Sequence, residues 1–458
     1  MRILLTVHQF LPKHTYGTER LTFDTGQELM ARGHEVYVLT TDSIPAEEPH
    51  NVAQDYEYEG LKVRCIQTDL RRTPDPTRYE YDNPQMAEHM RAYMREVEPD
   101  LVHVMHAGRL SGSVIPAARE FGVPVVFTAT DFWSLCRVIH LRRADTGALC
   151  LGPNSSGTNC LRCFIARTGA PQKAKDRYLK RSEVQFRAAS ALSQTSTMRN
   201  TKYMNRIRTV VDRIDYLKDV VNSTDRVIAP TRLNRDIMIR NGIDPALIHL
   251  SPYGMDTSDI SSVPPSPTHP SVPRIGYIGS LASHKGTDIL IKAVRSIPEA
   301  AKIELKVYGS PSRDPHYFKQ LEGLAEGDGR ISFTGTFDPD ETGRILSEID
   351  VLVVPSRWYE NTPLVVYSAF ASGTPVVATN LGGLSEVVEH DVNGLLFEAE
   401  DIQGLSSNLL RFLFEEDLIE RLRKGIKPVK TVEDSVDELE ELYEELTERR
   451  VSNAGKKY

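Results

Sequence analysis

Residues 1–40 read MRILLTVHQFLPKHTYGTERLTFDTGQELMARGHEVYVLT. Met1–Val7 is an apolar run of strand length, and Glu35–Thr40 is another. Between them a loop leads into a helical pattern carrying Leu21, Leu29 and Met30, which stops at Arg32-Gly33, where glycine suits the left-handed turn that closes a helix. Strand, helix and strand in 40 residues, with the strands mainly apolar, predict a βαβ unit in a sheet covered on both faces.

Outward from this unit the pattern repeats. Further apolar strands at 100–104 (DLVHV) and 124–128 (PVVFT) flank a helical stretch at 111–121, so the first 130 residues read as Rossmann-like. Residues 256–273 (DTSDISSVPPSPTHPSVP) hold five Pro and five Ser and predict an exposed linker. Beyond it, strands at 274–278, 303–308, 331–333, 351–354 and 374–378 alternate with helices, a second doubly wound unit. The acidic tail places apolar residues at 436, 439, 442, 443 and 446, one helical stripe. The expected organisation is therefore an N-terminal domain 1–255, a linker 256–273, a C-terminal domain 274–430 and a terminal helix 431–450.

A chain of 458 residues, 40% hydrophobic and 26% charged, has room for two or three domains and is neither disordered nor fibrous. Its longest apolar runs are strand-sized, far below the roughly 20 residues of a membrane helix. Only Ile3–Val7 separates Arg2 from His8, too short for a secretory core, so a cytoplasmic protein is expected. The formal charge of −8 argues against a nucleic-acid binder with a globally basic surface. Residues 172–218, however, hold twelve Lys or Arg against four acids, net +8, leaving −16 on the rest. That segment is expected to form helices inserted in the N-terminal domain. With Tyr178, Phe186 and Tyr203 interleaved among its cations, it could touch an anionic membrane at the inner face; a solvated helical pair or a partner-binding surface is the alternative.

Two Rossmann-like units suggest a dehydrogenase, but the first βα turn, His8–Gly17, holds one glycine and no G-x-G-x-x-G, and no P-loop motif is present. Nicotinamide chemistry and P-loop phosphoryl transfer are both poor fits.

The stretches HQFLPKHTYGTER, RGHEVYVLT, GYIGSLASHKGTDILIKA and VLVVPSRWYENTPLVVYSAFASGTPVVATNLGGLSEVVEHDVNGLLF, in this order and spacing, resemble the retaining glycosyltransferases of family 4, of bacterial and archaeal type. The resemblance implies the GT-B fold, in which two Rossmann-like domains face a cleft, and transfer of a sugar from a nucleotide donor. It implies a UDP- or GDP-sugar as substrate, a glycan or lipid-linked acceptor, and no catalytic metal. Retention without an enzymic nucleophile implies front-face displacement, with the leaving phosphate taking the acceptor proton.

A departing diphosphate needs cations and backbone donors aimed at its developing charge. By resemblance Lys285, in Ser283-His284-Lys285-Gly286, is the phosphate lysine; the arginine usual five residues earlier is here Ser280, with His284 or Arg357 as local substitutes. Glu360-Asn361-Thr362-Pro363-Leu364 matches the start of the family's E-x7-E motif. Glu360 is expected to hold donor-sugar hydroxyls, and the turn and helix start after it to bind sugar and phosphate. The second glutamate, which normally accepts ribose hydroxyls, is Ser368. Gly309 completes the expected donor set, and Gly17 matches the N-domain loop that approaches donor phosphates and acceptor; a turn glycine is its alternative reading. Asp131, in TATDFW, stands where relatives read His-Asp, with Thr130 in place of the histidine, and is expected to bind acceptor or donor hydroxyls unless it is only a turn or N-cap residue. His103 and His106 follow a strand end where ligands gather, or are buried structural histidines. A non-catalytic scaffold and a nucleotide-sugar epimerase on the same fold are the rival functions, the first favoured by Ser280, Thr130 and Ser368.

Of five cysteines, Cys136, Cys150, Cys160 and Cys163 fall within 28 residues. The Cys160-Leu-Arg-Cys163 spacing, with Cys136 and Cys150 flanking a hairpin about Ala144–Gly147, predicts one structural Zn2+ held by four thiolates; free cysteines or two disulfides are the alternatives.

Overall fold

The structure, a computed structural model, describes residues 1–195, 202–261, 263 and 272–454. Part of the linker (262 and 264–271) and Arg199 of the basic segment lie outside the described residues, as does the Tyr203 side chain. The chain forms two compact units, Met1–Tyr253 with Val432–Tyr458, and Gly254–Thr431.

The first unit is built on an eight-stranded sheet in the order β3-β4-β2-β1-β5-β6-β7-β8. Its strands are β1 (Arg2–Thr6), β2 (Glu35–Ser43), β3 (Val52–Tyr58), β4 (Leu61–Thr68), β5 (Leu101–Val104), β6 (Val125–Thr128), β7 (Arg226–Ala229) and β8 (Ile248–Leu250). β5 and β6 are buried along their whole length, as parallel strands under helices must be. The helix Gly17–Ala31 ends as its sequence requires: Gly33 takes φ 88° and the His34 N–H donates back to Leu29 O. The sequence reading did not pick out the β3–β4 hairpin, the antiparallel edge of the sheet turning at Glu59-Gly60. β3 is largely exposed and carries charged and polar residues, so no apolar run marks it.

The second unit carries six parallel strands in the order β11-β10-β9-β12-β13-β14. They are β9 (Arg274–Ile278), β10 (Glu304–Tyr308), β11 (Ile331–Gly335), β12 (Val351–Val354), β13 (Val376–Thr379) and β14 (Gly394–Phe397). Part of the segment expected as linker belongs to this unit instead, since Ile260 is buried in its core; Met255, expected to end the first domain, also belongs here, its N–H donating to Lys430 O. Ile260 is an isolated apolar residue among serines and aspartates, which is why composition alone reads the stretch as exposed. Both sheets reverse their strand order once, between β1 and β5 and between β9 and β12, and in open α/β sheets the crevice outside those strand ends is where ligands bind.

The terminal helix, Val432–Ala454, packs on the first unit, with Val436, Leu439, Leu442, Tyr443 and Leu446 in the same apolar cluster as Leu5, Leu29 and Ile228. Three helices, Gln172–Leu179, Glu183–Ser193 and Lys202–Asn222, carry the basic segment between β6 and β7. Phe186 does not face outward as expected. It is buried with Leu161, Ile207 and Val210 in a small core, the Arg162 guanidinium 4.2 Å from its ring centroid. Among the described residues no helix is long and apolar enough to cross a membrane.

One buried polar link fastens the terminal helix to the sheet. His103 on β5 lies between the Tyr443 hydroxyl at 2.5 Å and Thr128 Oγ1 at 2.6 Å, so of its two readings the structure supports the buried structural one. Burial lowers its pKa from the ordinary 6.5 to about 3. The unfolded chain therefore takes up the proton first, and the stability this group contributes is full above about pH 6.5 and falls as pH drops towards 3. Between pH 7 and 5 the loss is about 2 kcal/mol. His103→Gln, which cannot titrate, should be less stable than wild type at pH 7 in urea melts yet lose about 2 kcal/mol less on going to pH 5; equal losses would contradict a buried neutral imidazole.

Candidate functional site

In the second unit, the loops after β9 and β12 face each other at the point where strand order reverses. The loop after β9 carries Ser283-His284-Lys285, and Gly286 after it takes φ 74°. A Cβ on Gly286 would come within 1.9 Å of Pro355 O, so only glycine lets this loop approach the one after β12. A hydrogen bond from Arg357 N to His284 O at 2.8 Å ties the two together.

The result is a carboxylate with three donors on one oxygen. Glu360 Oε1 accepts from Lys285 Nζ at 2.7 Å, Ser356 Oγ at 2.6 Å and Trp358 Nε1 at 2.8 Å. Glu360 is 6% exposed, and a buried carboxylate keeps its charge only when it is paired and hydrogen-bonded in this way. Lys285 also sits 5.1 Å from the centroid of the Trp358 ring, against whose edge His284 packs. From behind, Gly383 N–H donates to Glu360 O at 2.8 Å, and a Cβ there would strike the carbonyls of Glu360 and Asn361. Sequence reasoning did not single out Ser356, Trp358 and Gly383; a serine and a tryptophan a few residues before a glutamate carry no motif of their own.

After Glu360 the chain turns through buried Asn361 and Thr362 to Pro363, which precedes the helix Leu364–Ala371. Thr362 Oγ1 is buried without a hydrogen-bond partner beside this helix start, whose dipole favours an anion. One turn on, Ser368 is buried and its hydroxyl donates to Leu364 O at 3.2 Å, so it is spent on its own helix. Arg357, expected as a substitute phosphate cation, is bound by Asp288 and Glu400 and also donates to Ser283 O. Burial opposes the Asp288 charge, but Arg357, Tyr317 and Lys292 outweigh it and hold that carboxyl well below its usual range. The carboxylates on either side commit Arg357 to fixing the loops. Ser280 lies just beyond β9, where its carbonyl accepts from the Tyr277 hydroxyl at 2.9 Å, and Gly309 follows β10 beside Gly279.

In the first unit the ends of β1, β5 and β6 gather His8, His106 and Asp131, with Glu19 from the first turn of helix Gly17–Ala31, which Gly17 opens. His106 Nδ1 accepts from Gly108 N at 2.9 Å, so its proton is on Nε2, 3.1 Å from Asp131 Oδ2. The other oxygen of Asp131 accepts from Trp133 N at 2.7 Å, so this aspartate makes its turn and holds a histidine together. His8 stacks on His106, ring centroids 4.3 Å apart, and its Nε2 lies 3.4 Å from Glu19 Oε1. His8 Nδ1 and Glu19 Oε1 are buried without hydrogen-bond partners, groups that an incoming hydroxyl could satisfy.

Electrostatics follow from this packing. Burial, then the neighbouring His106, lower the His8 pKa well below 6.5. Burial raises that of Glu19. At Asp131 burial works against the charge, but His106 and the Trp133 N–H prevail and its pKa falls. Because the folded-state pKa of Glu19 is raised, its ionised form costs stability at neutral pH and the cost is relieved as pH falls. Glu19→Gln should therefore match or exceed wild type by about 1 kcal/mol in urea melts at pH 8, with the gain shrinking at pH 5; a variant clearly less stable at pH 8 would show that the carboxylate is favourably paired.

The four cysteines are free and line one cavity of the first unit. Among the described residues no group of three or more His, Cys, Asp or Glu side chains is placed to hold a metal ion, so the expected four-thiolate Zn2+ site is not present in this arrangement. The reason is local. Cys160 and Cys163 lie on the helix Thr158–Arg167 rather than in a knuckle; Cys163 Sγ accepts from Ala144 N at 3.4 Å, and the Cys150 thiol donates to Gly152 O at 3.1 Å. The segment also has what its composition hid, a share in the apolar cluster around Leu161 and Phe186.

Residues 15–191 match the family described as Glycosyltransferase Family 4, and residues 272–415 that described as Glycosyl transferases group 1. D-inositol 3-phosphate glycosyltransferase of Xylanimonas cellulosilytica is 31% identical over 226 residues, 46% of this chain and 54% of that protein. The chain spans about half the length of the curated relatives it matches. Sucrose-phosphate synthase of Thermosynechococcus elongatus shares the fold at a TM-score of 0.66 and 21% identity, over 97% of this chain and 98% of that one. HepE of Anabaena, solved in complex with UDP, does so at a TM-score of 0.63 and 15% identity, over 97% of this chain and all of the other. These likenesses, with the two doubly wound sheets, make the fold GT-B.

Proposed function

From a chain that belongs to the family 4 glycosyltransferases, we propose an enzyme that transfers a sugar, with retention, from a nucleoside diphosphate donor held by the second unit to a hydroxyl of a glycan or lipid-linked acceptor. The observation that carries this reading is the Glu360 carboxylate with Lys285, Ser356 and Trp358 on one oxygen, at the strand-order reversal of the second sheet. Lys285 is the cation that can leave Glu360 for a diphosphate, since Ser356 and Trp358 continue to hold the carboxylate. Glu360 then accepts from donor-sugar hydroxyls, while Thr362 Oγ1 and the positive end of helix Leu364–Ala371 receive phosphate or sugar oxygens. The charge that develops on the leaving diphosphate is met by groups already in place, and that oxygen takes the acceptor proton. In the first unit, Asp131, His106, His8 and Glu19 orient the acceptor hydroxyl, neutral His8 and the raised Glu19 carboxyl supplying the unsatisfied polar atoms. With Ser368 turned into its own helix, ribose recognition relies on backbone and water.

Glu360→Gln and Lys285→Ala should each lower transfer or donor hydrolysis about 10²-fold, roughly 3 kcal/mol of barrier, with unchanged folding, when assayed with radiolabelled UDP-, GDP- and ADP-sugars. Near-normal turnover in either variant would remove the assignment. Turnover absent from the wild type with every donor, but nucleotide binding retained, would favour a non-catalytic binding protein.

We also propose that the basic helices meet an anionic membrane. On Glu183–Ser193, Val184 is 74% and Leu192 48% exposed beside Arg187. Flotation with anionic liposomes should recover the protein at low salt and release it at high salt; Val184→Asp with Leu192→Asp should weaken recovery severalfold. Recovery that ignores both salt and these substitutions would exclude this surface.

A further inference from the structure

The cavity that collects the four cysteines holds about 310 Å³, the size at which small-molecule sites begin. Its walls are positive. Arg137, Arg142, Arg143, Arg167 and Arg213 line it against one acid, Glu80. Glu80 is taken by Arg137 at 2.6 Å, and Arg143 is paired with Asp145 outside the wall at 2.6 Å. Among the described residues Arg142, Arg167 and Arg213 form no ion pair with a carboxylate within 4 Å, and Glu80 acts on Arg213 only from a distance.

Arg213 is the decisive one. It is 4% exposed, its Nη2 donates to Trp133 O, and its guanidinium lies 5.5 Å from the Trp133 ring centroid. Its Nε is buried with no hydrogen-bond partner. Burial lowers its pKa, the sign of a charge desolvated without full compensation. A buried unpaired cation is costly, and the group that relieves the cost is an oxyanion accepting from the guanidinium. Beside the arginines, Val138, Leu141 and Phe164 line the same space, which suits a carbon skeleton rather than a bare ion. The thiols add weak donors.

We propose that this cavity is a binding site for a small organic oxyanion, a phosphate or carboxylate on a compact carbon body, with Arg213 as its buried anchor and Arg142 and Arg167 at its rim. The occupant would bear directly on the acceptor cluster. Arg213 holds Trp133 O, Trp133 N–H holds Asp131, and Asp131 holds His106. Nothing in this site draws on the donor residues of the second unit.

The four lining cysteines report on occupancy, with buried Cys65 as an internal control. Iodoacetamide labelling of the full chain, read by mass spectrometry, should slow at least fivefold at Cys136, Cys150, Cys160 and Cys163 with saturating glycerol 3-phosphate or succinate, and little with inorganic phosphate. Whichever of the first two protects more identifies the anion. Arg213→Met should weaken that protection at least tenfold in ligand concentration. Arg167→Met, at the rim, gives the same direction if the first variant fails to fold, and Lys285→Ala should leave protection intact. Protection unchanged in both arginine variants, or no protection by either organic anion, would overturn the proposal. So would a tightly bound metal ion, about one per chain in the purified protein, that blocks all four thiols, for the cavity would then be a metal centre.

Discussion

A lysine and a glutamate that hold each other set the terms for the second unit. Lys285 and Glu360 come from loops after different strands, and they meet only because Gly286 lets one loop lie against Pro355 and Gly383 lets the chain behind close on the Glu360 carbonyl. Ser356 and Trp358 donate to the same carboxylate oxygen as the lysine. Under the proposed function the pair opens when Lys285 turns to the leaving diphosphate, whose charge replaces the one it leaves. Arg357 makes the contrast: bound by Asp288 and Glu400, it can hold loops but not exchange partners.

The first unit solves a different problem. Its cluster consists of two stacked histidines, an aspartate fixed by a turn, and a buried glutamate with an unsatisfied oxygen. Burial favours the neutral form of His8, and His106 is hydrogen-bonded to Asp131, so the cluster supplies acceptors and directed donors.

Much of this was legible in the sequence, for identifiable reasons. Apolar strands and the Arg32-Gly33 stop are local signals, and the terminal stripe at 436–446 reads directly as a buried helix face. Lys285 and Glu360 were legible through the resemblance, and the structure brings them to 2.7 Å. What escaped depends on long-range partners. Glu19 looks like any first-turn acid until β1 delivers His8 to it. Arg357 looks like a free cation until Asp288 and Glu400, 69 and 43 residues away, close on it. The cysteine spacing suggested a metal because the apolar partners that organise the segment, Phe186, Ile207 and Val210, come from helices further along the chain.

The most direct test of the central claim separates the two partners of the pair by what they touch. Calorimetric titration of UDP and GDP into the wild type, Lys285→Ala and Glu360→Gln asks only about the diphosphate. If Lys285 leaves Glu360 for phosphate oxygens while Glu360 serves the sugar, losing the lysine weakens the preferred nucleotide about 10- to 100-fold, the worth of a hydrogen bond to a charged group, and losing the glutamate charge changes it no more than about threefold. Equal losses in both variants, or none in Lys285→Ala, would contradict the account.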